Sequence, residues 1–463
     1  MRRKIYIGLT TCFLALTFFF AFAGEVNAQK KPNASAKNLA LQGGKLFDQK
    51  DFRAAIDKYA EAIVIAPNYP LAYFYKGYAH HRLNEYDAAI EDLDAALKQG
   101  YAPIKVYEVR WEAHYKKKNY EAALSDVEQA LQIEPANNYF VLALGDVHRL
   151  KGDYQEAIAA YNKGLPGSQN SGDIHYYIAA SHFKLNEPSQ QNLAANEAIK
   201  NNTRYTGESY LLMADALVKA RKPTEAIQAY ERALNVKPEN PAEVYTALSN
   251  LYQSQSRLRD AIATIRKGIE LYPDNGDMLI ALTLYYSLAD RYAAAVDVGQ
   301  KAAKLSPNNY VAHTNLCRAY NDIKDYPRAV AACNKALALK PNDGETYFYL
   351  ARAHDLQNKP EVATQYYKKA VSGLVEYTGK NPDFSDGWYL LGNAYYTDQQ
   401  VDKAIEAYQR SLQLNPNFAK ARLNLGYMYL ANKNLPMARE QYDILLKIDL
   451  PSAEKLKERM EKK

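Results

Sequence analysis

The sequence lacks the short motifs that mark common catalytic sites. None of the patterns G-x-x-x-x-G-K-[ST], G-x-S-x-G, H-E-x-x-H or C-x-x-C occurs in its 463 residues. A phosphate-binding loop, a nucleophile elbow, a zinc-binding helix and a redox cysteine pair are therefore all missing. We predict that the protein is not an enzyme and that it has no cofactor and no metal site.

A strong charge of either sign is missing as well. The 58 basic and 52 acidic side chains give a net charge of +6. Removal of residues 1–28 would take away three basic and one acidic side chain and leave +4. Because this bias is too weak to attract a polyanion, we expect no nucleic-acid partner.

A regular pattern is present instead, and it is clearest between Ser385 and Phe418. Trp388, Leu391, Gly392 and Tyr395 follow one another at i, i+3, i+4 and i+7, which places them on one face of a helix. A second helix follows, in which Ala404 and Tyr408 share a face. Small residues on both helices allow the two to cross closely. Such a pair cannot bury its apolar face alone, so further copies should flank it.

Copies of this pattern run along nearly the whole chain. In steps of 34 residues they occupy 36–69, 70–103, 104–137, 138–171, 172–205, 207–240, 242–275, 276–309, 310–343, 344–377, 385–418 and 419–452. The second-helix alanine recurs in eleven of these twelve windows: Ala55, Ala89, Ala123, Ala157, Ala226, Ala261, Ala295, Ala329, Ala363, Ala404 and Ala438. Gln191 is the exception.

The pattern W-x2-L-G-x2-Y, then A-x3-aromatic, then proline resembles the tetratricopeptide repeat. The resemblance implies an all-α fold, a right-handed α-α superhelical solenoid of about twelve helix pairs with a C-terminal capping helix. Stability in such a fold is approximately a sum over neighbouring repeats. The resemblance also implies a concave groove, lined by the first helix of each pair, that binds a peptide or a partner helix.

Two interruptions divide the array. Turn residues replace the end of the fourth repeat near 166–172, and the second helix of the tenth repeat runs on before a break at 379–382. We therefore expect three packed blocks, about 36–165, 172–377 and 385–463. The predicted organisation is a signal peptide at 1–28, a short polar linker at 29–35, repeats 1–4 at 36–171, repeats 5–10 at 172–377 with repeat 5 degenerate, an insertion at 378–384, repeats 11–12 at 385–452 and a capping helix at 453–463.

The N-terminal segment has the composition of an export signal. Arg2-Arg3-Lys4 precedes an uncharged apolar run from Ile5 to Ala23, and Val26-Asn27-Ala28 supplies a small-residue cleavage site. Cleavage is favoured, although the run is also just long enough to remain as a membrane anchor. Both alternatives place the repeats outside the cytoplasm. We expect a periplasmic or secreted bacterial protein that meets a membrane only if the segment is not cleaved.

Cys317 and Cys333 lie within one repeat, at a small position of its first helix and an aromatic position of its second. Two small buried thiols that fill core positions are the favoured interpretation. An intra-repeat disulfide is the alternative, which an oxidising compartment would allow.

Histidines recur every 34 residues, at His80, His114, His148 and His182, and His354 takes the same position later. A metal-binding or pH-sensing column is one hypothesis. Stacked helices are about 8–10 Å apart, whereas ligands of one zinc ion all lie about 2 Å from it. We therefore favour a structural packing role.

Register with the repeat family assigns side chains to the concave face. The candidate partner-binding residues are Phe74, Tyr78, Tyr115, Tyr176, Arg318, Arg352, Tyr389, Asn393, Tyr396, Asn424 and Tyr427. They form an aromatic surface of mixed charge, suited to an extended peptide or a partner helix. The leading hypothesis is a non-enzymatic scaffold for protein or peptide partners of the cell envelope. The alternative is a solenoid that binds carbohydrate or peptidoglycan through groove aromatics.

Overall fold

The computed structural model describes residues 33–166 and 168–461, and within these ranges every regular element is an α-helix. The predicted signal peptide at 1–28 lies outside the described residues. The chain divides into two compact units, and the division falls between Gly167 and Ser168.

Unit 1 contains four helix pairs. Its helices are α1 (Ala34–Asp48), α2 (Phe52–Ile65), α3 (Pro70–Arg82), α4 (Tyr86–Lys98), α5 (Pro103–Lys116), α6 (Tyr120–Ile133), α7 (Asn138–Lys151) and α8 (Tyr154–Gly164).

Unit 2 contains eight helix pairs and a final single helix. Its helices are α9 (Ser171–Leu185), α10 (Pro188–Lys200), α11 (Thr206–Lys219), α12 (Pro223–Asn235), α13 (Pro241–Ser254), α14 (Leu258–Leu271), α15 (Gly276–Leu288), α16 (Tyr292–Leu305), α17 (Tyr310–Asp322), α18 (Tyr326–Leu339), α19 (Gly344–Asp355), α20 (Pro360–Lys380), α21 (Ser385–Thr397), α22 (Val401–Leu414), α23 (Ala419–Ala431), α24 (Leu435–Ile448) and α25 (Leu450–Glu461). Consecutive helices pack on one another, which confirms the predicted all-α solenoid.

The capping helix α25 begins at Leu450, three residues before the predicted start at Ala453. Pro451 lies in its first turn, where a missing N–H group costs no helical hydrogen bond. Asp449 separates α24 from α25, and its carbonyl accepts the first helical hydrogen bond from the Ala453 N–H over 3.1 Å.

Small residues set the distance between the two helices of a pair. A Cβ atom on Gly392 would lie 2.6 Å from Cε1 of Tyr408, and one on Gly145 would lie 2.7 Å from Cδ1 of Tyr161. The tyrosine rings are almost fully buried against these glycines. At these two positions a larger residue would meet the tyrosine ring and push the helices apart.

The exception in the alanine column is also buried. The Gln191 side chain has no exposed surface, and its Nε2 group donates to the carbonyl of Leu212 over 2.6 Å and to Asp215 Oδ2 over 3.1 Å. The degenerate fifth repeat therefore replaces an apolar contact with hydrogen bonds to the first helix of the next repeat.

The turn inside each pair has one residue of positive φ. These residues are Lys50, Asn84, Lys118, Gly152, Asn186, Arg221, Ser256, Asp290, Lys324, Asn358, Gln399 and Lys433. The backbone after this residue turns back onto the helix that has just ended. The Glu85 N–H, for example, donates to the carbonyl of His80 over 3.0 Å, which satisfies one of the free carbonyls at the helix end.

The second interruption of the sequence does not divide unit 2. Helix α20 extends for 21 residues, and Leu374 and Thr378 in its last turns are buried. The ring of Tyr377 meets that of Phe384 at a centroid distance of 6.1 Å. Thr378 anchors the start of the insertion in the core, and the predicted third block is part of unit 2.

Cys317 on α17 and Cys333 on α18 form a disulfide, with their Cα atoms 5.3 Å apart. Both residues have no exposed surface. The favoured interpretation of two free buried thiols is therefore wrong, because adjacent core positions of the two helices lie within bonding distance. The sequence separation of 16 residues alone could not show this contact.

Candidate functional site: the concave faces of the two units

The predicted groove residues of unit 1 fall into two groups. Phe74 and Tyr115 have only 5% and 3% of their surface exposed. The assignment of these two side chains to a binding surface is corrected accordingly, because they pack into the core between neighbouring repeats. Tyr78 is half-buried and contacts Phe47, with ring centroids 5.1 Å apart.

Unit 1 brings together a polar cluster around His81, a residue that was not among those assigned to the groove from the sequence. His81 Nε2 lies 3.5 Å from Glu112 Oε2. Glu112 Oε1 accepts a hydrogen bond of 2.8 Å from the Tyr139 hydroxyl, which in turn accepts one of 3.1 Å from Trp111 Nε1. Burial lowers the pKa of His81 to about 4 and raises the pKa of Glu112. His81 occupies the same repeat position as Tyr396, so register was the signal that could have identified it.

Both predicted arginines of unit 2 contact a neighbouring repeat. Arg318 lies over the ring of Tyr349 at 4.9 Å, and Arg352 Nη1 donates to Asp322 Oδ1 over 3.2 Å. Burial raises the pKa of Glu345, which faces Arg318, to about 7. Opposite charges thus meet in a partly buried environment at this junction of repeats 9 and 10.

The two predicted asparagines, one in each of the last two repeats, are hydrogen-bonded to each other. Asn424 Nδ2 donates to Asn393 Oδ1 over 2.9 Å, and the same oxygen accepts a 2.7 Å hydrogen bond from the Tyr408 hydroxyl. Within the described residues, the Asn393 Nδ2 group makes no hydrogen bond. Its donors therefore remain available to a ligand.

Aromatic rings accompany this asparagine pair. Tyr389 is half-buried, and its ring lies 4.9 Å from that of Phe418, whereas Tyr396 has half of its surface exposed. Tyr427 is half-buried on the next repeat. Tyr176, at the other end of unit 2, stacks on Tyr205 with a centroid distance of 4.4 Å. The predicted aromatics of unit 2 therefore occupy separate parts of the array.

Three histidines of the column, His80, His148 and His182, contact an acid at the end of their first helix. Nδ1 of His80 lies 2.6 Å from Glu85 Oε2, and Nδ1 of His182 lies 2.6 Å from Glu187 Oε2. Each acid directly precedes the second helix of the same pair. Among residues 33–166 and 168–461, no three His, Cys, Asp or Glu side chains are grouped as ligands for a metal ion.

No helix in the described part of the chain combines the length and the apolar character that a membrane crossing requires. The segment that carries the predicted export signal lies outside this part.

Models of tetratricopeptide repeats match most of the array. The descriptions "Tetratricopeptide repeat" and "TPR repeat" apply to residues 43–84, 71–99, 112–172, 207–240, 246–310, 288–353, 385–418 and 407–440. Together these ranges cover more than half of the chain.

Curated relatives match over shorter stretches. Small glutamine-rich tetratricopeptide repeat-containing protein 2 of Saccharomyces cerevisiae is 40% identical over 73 residues, or 16% of this chain and 20% of the relative. Its namesake in Mycosarcoma maydis is 27% identical over 165 residues, or 36% of this chain and 37% of the relative. The matches thus span well under half the length of these two relatives.

Solved structures with similar helical arrays include the APC/C hetero-tetramer Cut9–Hcn1. It is 15% identical, covers 92% of this chain and 96% of its own, and has a TM-score of 0.37. The structure described as MamA MSR-1 C2 is 23% identical, covers 36% of this chain and 96% of its own, and has a TM-score of 0.30. The repeat periodicity, the paired helices and the family models agree, and the chain belongs to the tetratricopeptide repeat family.

Proposed function

We propose that this protein is a non-enzymatic scaffold that holds a peptide segment or a helix of a protein partner in its concave groove, outside the cytoplasm. Tetratricopeptide repeat domains bind protein partners, and the relatives matched here are themselves repeat proteins of this kind. The arrangement of Asn393, Asn424 and Tyr396 carries the proposal.

Asn393 and Asn424 offer what an extended backbone needs. An amide side chain can donate to a peptide carbonyl and accept from a peptide N–H, and the linked pair is held in place by Tyr408. A fixed donor loses little entropy on binding. The exposed ring of Tyr396 adds apolar surface beside these groups, as aromatic anchors do in peptide-binding sites.

Two features support a location outside the cytoplasm. Residues 1–28 have the composition of an export signal. The Cys317–Cys333 disulfide is of a kind that persists in oxidising compartments and is rare in the cytosol. The partner would accordingly be a protein of the cell envelope.

Affinity capture on the immobilised full chain tests the proposal. Envelope extracts should yield a specific partner, and Tyr396→Ala should weaken its binding about tenfold, since loss of an aromatic anchor costs about 1–2 kcal/mol. Lys368→Ala on the outer helix α20 is a matched control at an exposed site. Equal capture by the Tyr396 and Lys368 variants would exclude this part of the groove, and failure to recover any partner would remove the support for a scaffold.

Carbohydrate binding is the second candidate. The Tyr389–Phe418 ring pair and the exposed Tyr396 favour it, because sugar rings stack on such surfaces. Binding on a glycan array that is abolished by Tyr389→Ala and Tyr396→Ala would support this candidate over a peptide ligand.

A further inference from the structure

Within unit 2, residues that are far apart in the sequence contact one another across the solenoid. Arg221 donates to Asp383 Oδ1 over 2.9 Å, and Asn415 Nδ2 donates to the carbonyl of Ser254 over 3.0 Å. Lys420 Nζ reaches the carbonyl of Leu288 over 3.4 Å. The paired residues are separated by 132 to 162 positions. We call these three contacts the clasp.

One side of the clasp consists of turns in three successive repeats. Ser254 and Leu288 are the last residues of α13 and α15, whose final carbonyls have no partner within the helix. Arg221 is the positive-φ residue that follows α11. The negative end of a helix favours a donor or a cation, and Asn415 and Lys420 supply one to α13 and α15 respectively.

The other side depends on the insertion at 378–384. This insertion lengthens α20 to 21 residues and provides Asp383. Asn415 lies after α22 and Lys420 lies in the first turn of α23. The insertion, which in the sequence is only an interruption of the repeat pattern, thus supplies Asp383 to the clasp.

The groove behind the clasp contains Arg318, Glu345 and Asp386. Burial raises the pKa of Asp386, and a hydrogen bond from Gln253, four repeats earlier, opposes that rise. Glu345 is likewise shifted upward by burial. Side chains from opposite walls therefore approach each other here.

We propose that the clasp gates this part of the groove, so that a partner segment reaches Arg318 and Arg352 only after the two edges separate. The inference rests on the proposed function for its biological role. The clasp contacts are suited to reversible opening. Arg221 and Asp383 have 74% and 67% of their side-chain surface exposed, and exposed ion pairs are weak and are screened by salt.

Accessibility of a cysteine placed behind the clasp tests the gate without any partner. Arg352→Cys in a Cys12→Ser background of the full chain is treated with N-ethylmaleimide and with a maleimide attached to a long polyethylene glycol chain. The small reagent should react readily, since the Arg352 side chain is 40% exposed. The polymer reagent should react several-fold more slowly than it does at Lys368→Cys, an exposed site on the outer helix.

Opening the clasp should remove this difference. The variant Arg221→Asp/Asn415→Ala/Lys420→Ala places two acids together at 221 and 383 and deletes the bonds to Ser254 and Leu288, so the polymer reagent should gain access to Cys at 352. Arg221→Asp with Asp383→Arg exchanges the charges, and it should keep the groove closed. We expect these variants to fold, because all the substituted clasp residues lie at the surface or are half-buried. Circular dichroism checks that they do.

The gate would be overturned if the polymer reagent reacted with Cys at 352 no faster in the opened variant than in the protein with an intact clasp. It would also be overturned if, with the clasp intact, the polymer reagent reacted equally fast with the cysteines at 352 and 368. Since these rates require no ligand, they are separable from the capture experiment. A clasp that opens as expected in a protein that captures no partner would contradict the proposed function alone.

Discussion

The side-chain amide of Asn415 donates to the backbone carbonyl of Ser254 across 3.0 Å, although the two residues are 161 positions apart. The same amide lies 3.3 Å from the Ser256 hydroxyl. In a solenoid most contacts link neighbouring repeats. This contact instead links repeats 7 and 11. The superhelical rotation of the helix pairs between these two repeats brings their edges together.

Gly392→Ala should destabilise repeat 11, in which Gly392 of α21 packs against Tyr408 of α22. The added Cβ would lie 2.6 Å from the Tyr408 ring, and overpacking of this kind costs about 1–3 kcal/mol. Urea denaturation followed by circular dichroism measures the loss. Gly379→Ala in α20 is the matched control, since nothing lies within 4 Å of its Cβ. We expect it to be neutral or to stabilise by about 0.5–1 kcal/mol through helix propensity; equal losses at both sites would contradict this account.

Gln191→Ala should destabilise unit 2 although it restores the repeat consensus. The substitution leaves a cavity and removes the hydrogen bonds to Leu212 and Asp215, for an expected cost of about 1–3 kcal/mol. Thermal unfolding of the variant is compared with that of Gln190→Ala, an exposed neighbour. A higher melting temperature for Gln191→Ala would show that the alanine column, and not the hydrogen bonds, governs this position.

The stability of unit 1 should fall on acidification because of His81. Burial lowers its pKa from 6.5 to about 4, so the unfolded chain takes up a proton between these values while the folded chain does not. The contribution of neutral His81 is therefore present above pH 6.5 and is lost as the pH falls toward 4, by up to about 3 kcal/mol. The raised pKa of Glu112 acts in the opposite direction, since that carboxyl stabilises the fold only below its folded pKa.

Unfolding free energies of the wild type and His81→Gln, measured between pH 4 and pH 8, isolate this contribution. The difference between the two proteins should shrink as the pH falls. A difference that is independent of pH would exclude a titrating role for the histidine.

Reduction of the Cys317–Cys333 disulfide should destabilise repeat 9. The bond closes a loop over a separation of 16 residues, and a loop of this length corresponds to roughly 3 kcal/mol. Melting curves with and without a reductant measure the effect, and the double variant Cys317→Ser/Cys333→Ser should not respond to the reductant. Alkylation of the denatured, unreduced wild type should label Cys12 alone wherever that residue is retained; labelling at 317 and 333 would show that the protein is made with free thiols.

The helix pairs and their packing were predictable from the sequence. The alanine column and the glycines at 145 and 392 report contacts between adjacent helices, where the distance along the chain is short and only small residues fit. The same local logic predicts which side chains face the groove, and that register stays a prediction. It overestimated exposure at Phe74 and Tyr115, because register gives the direction of a side chain but not how deeply its neighbours cover it.

Only the tertiary structure decided the features that depend on distance between repeats or on exact atom placement. The amide of Gln191 replaces alanine because Leu212 and Asp215 of the next repeat lie within reach. Cys317 and Cys333 bond because α17 and α18 bring their Cα atoms to 5.3 Å. The contact of Asn415 with Ser254 arises because small rotations accumulate over several repeats. Each rotation is a sum of many weak packing contacts, which no single motif in the sequence records.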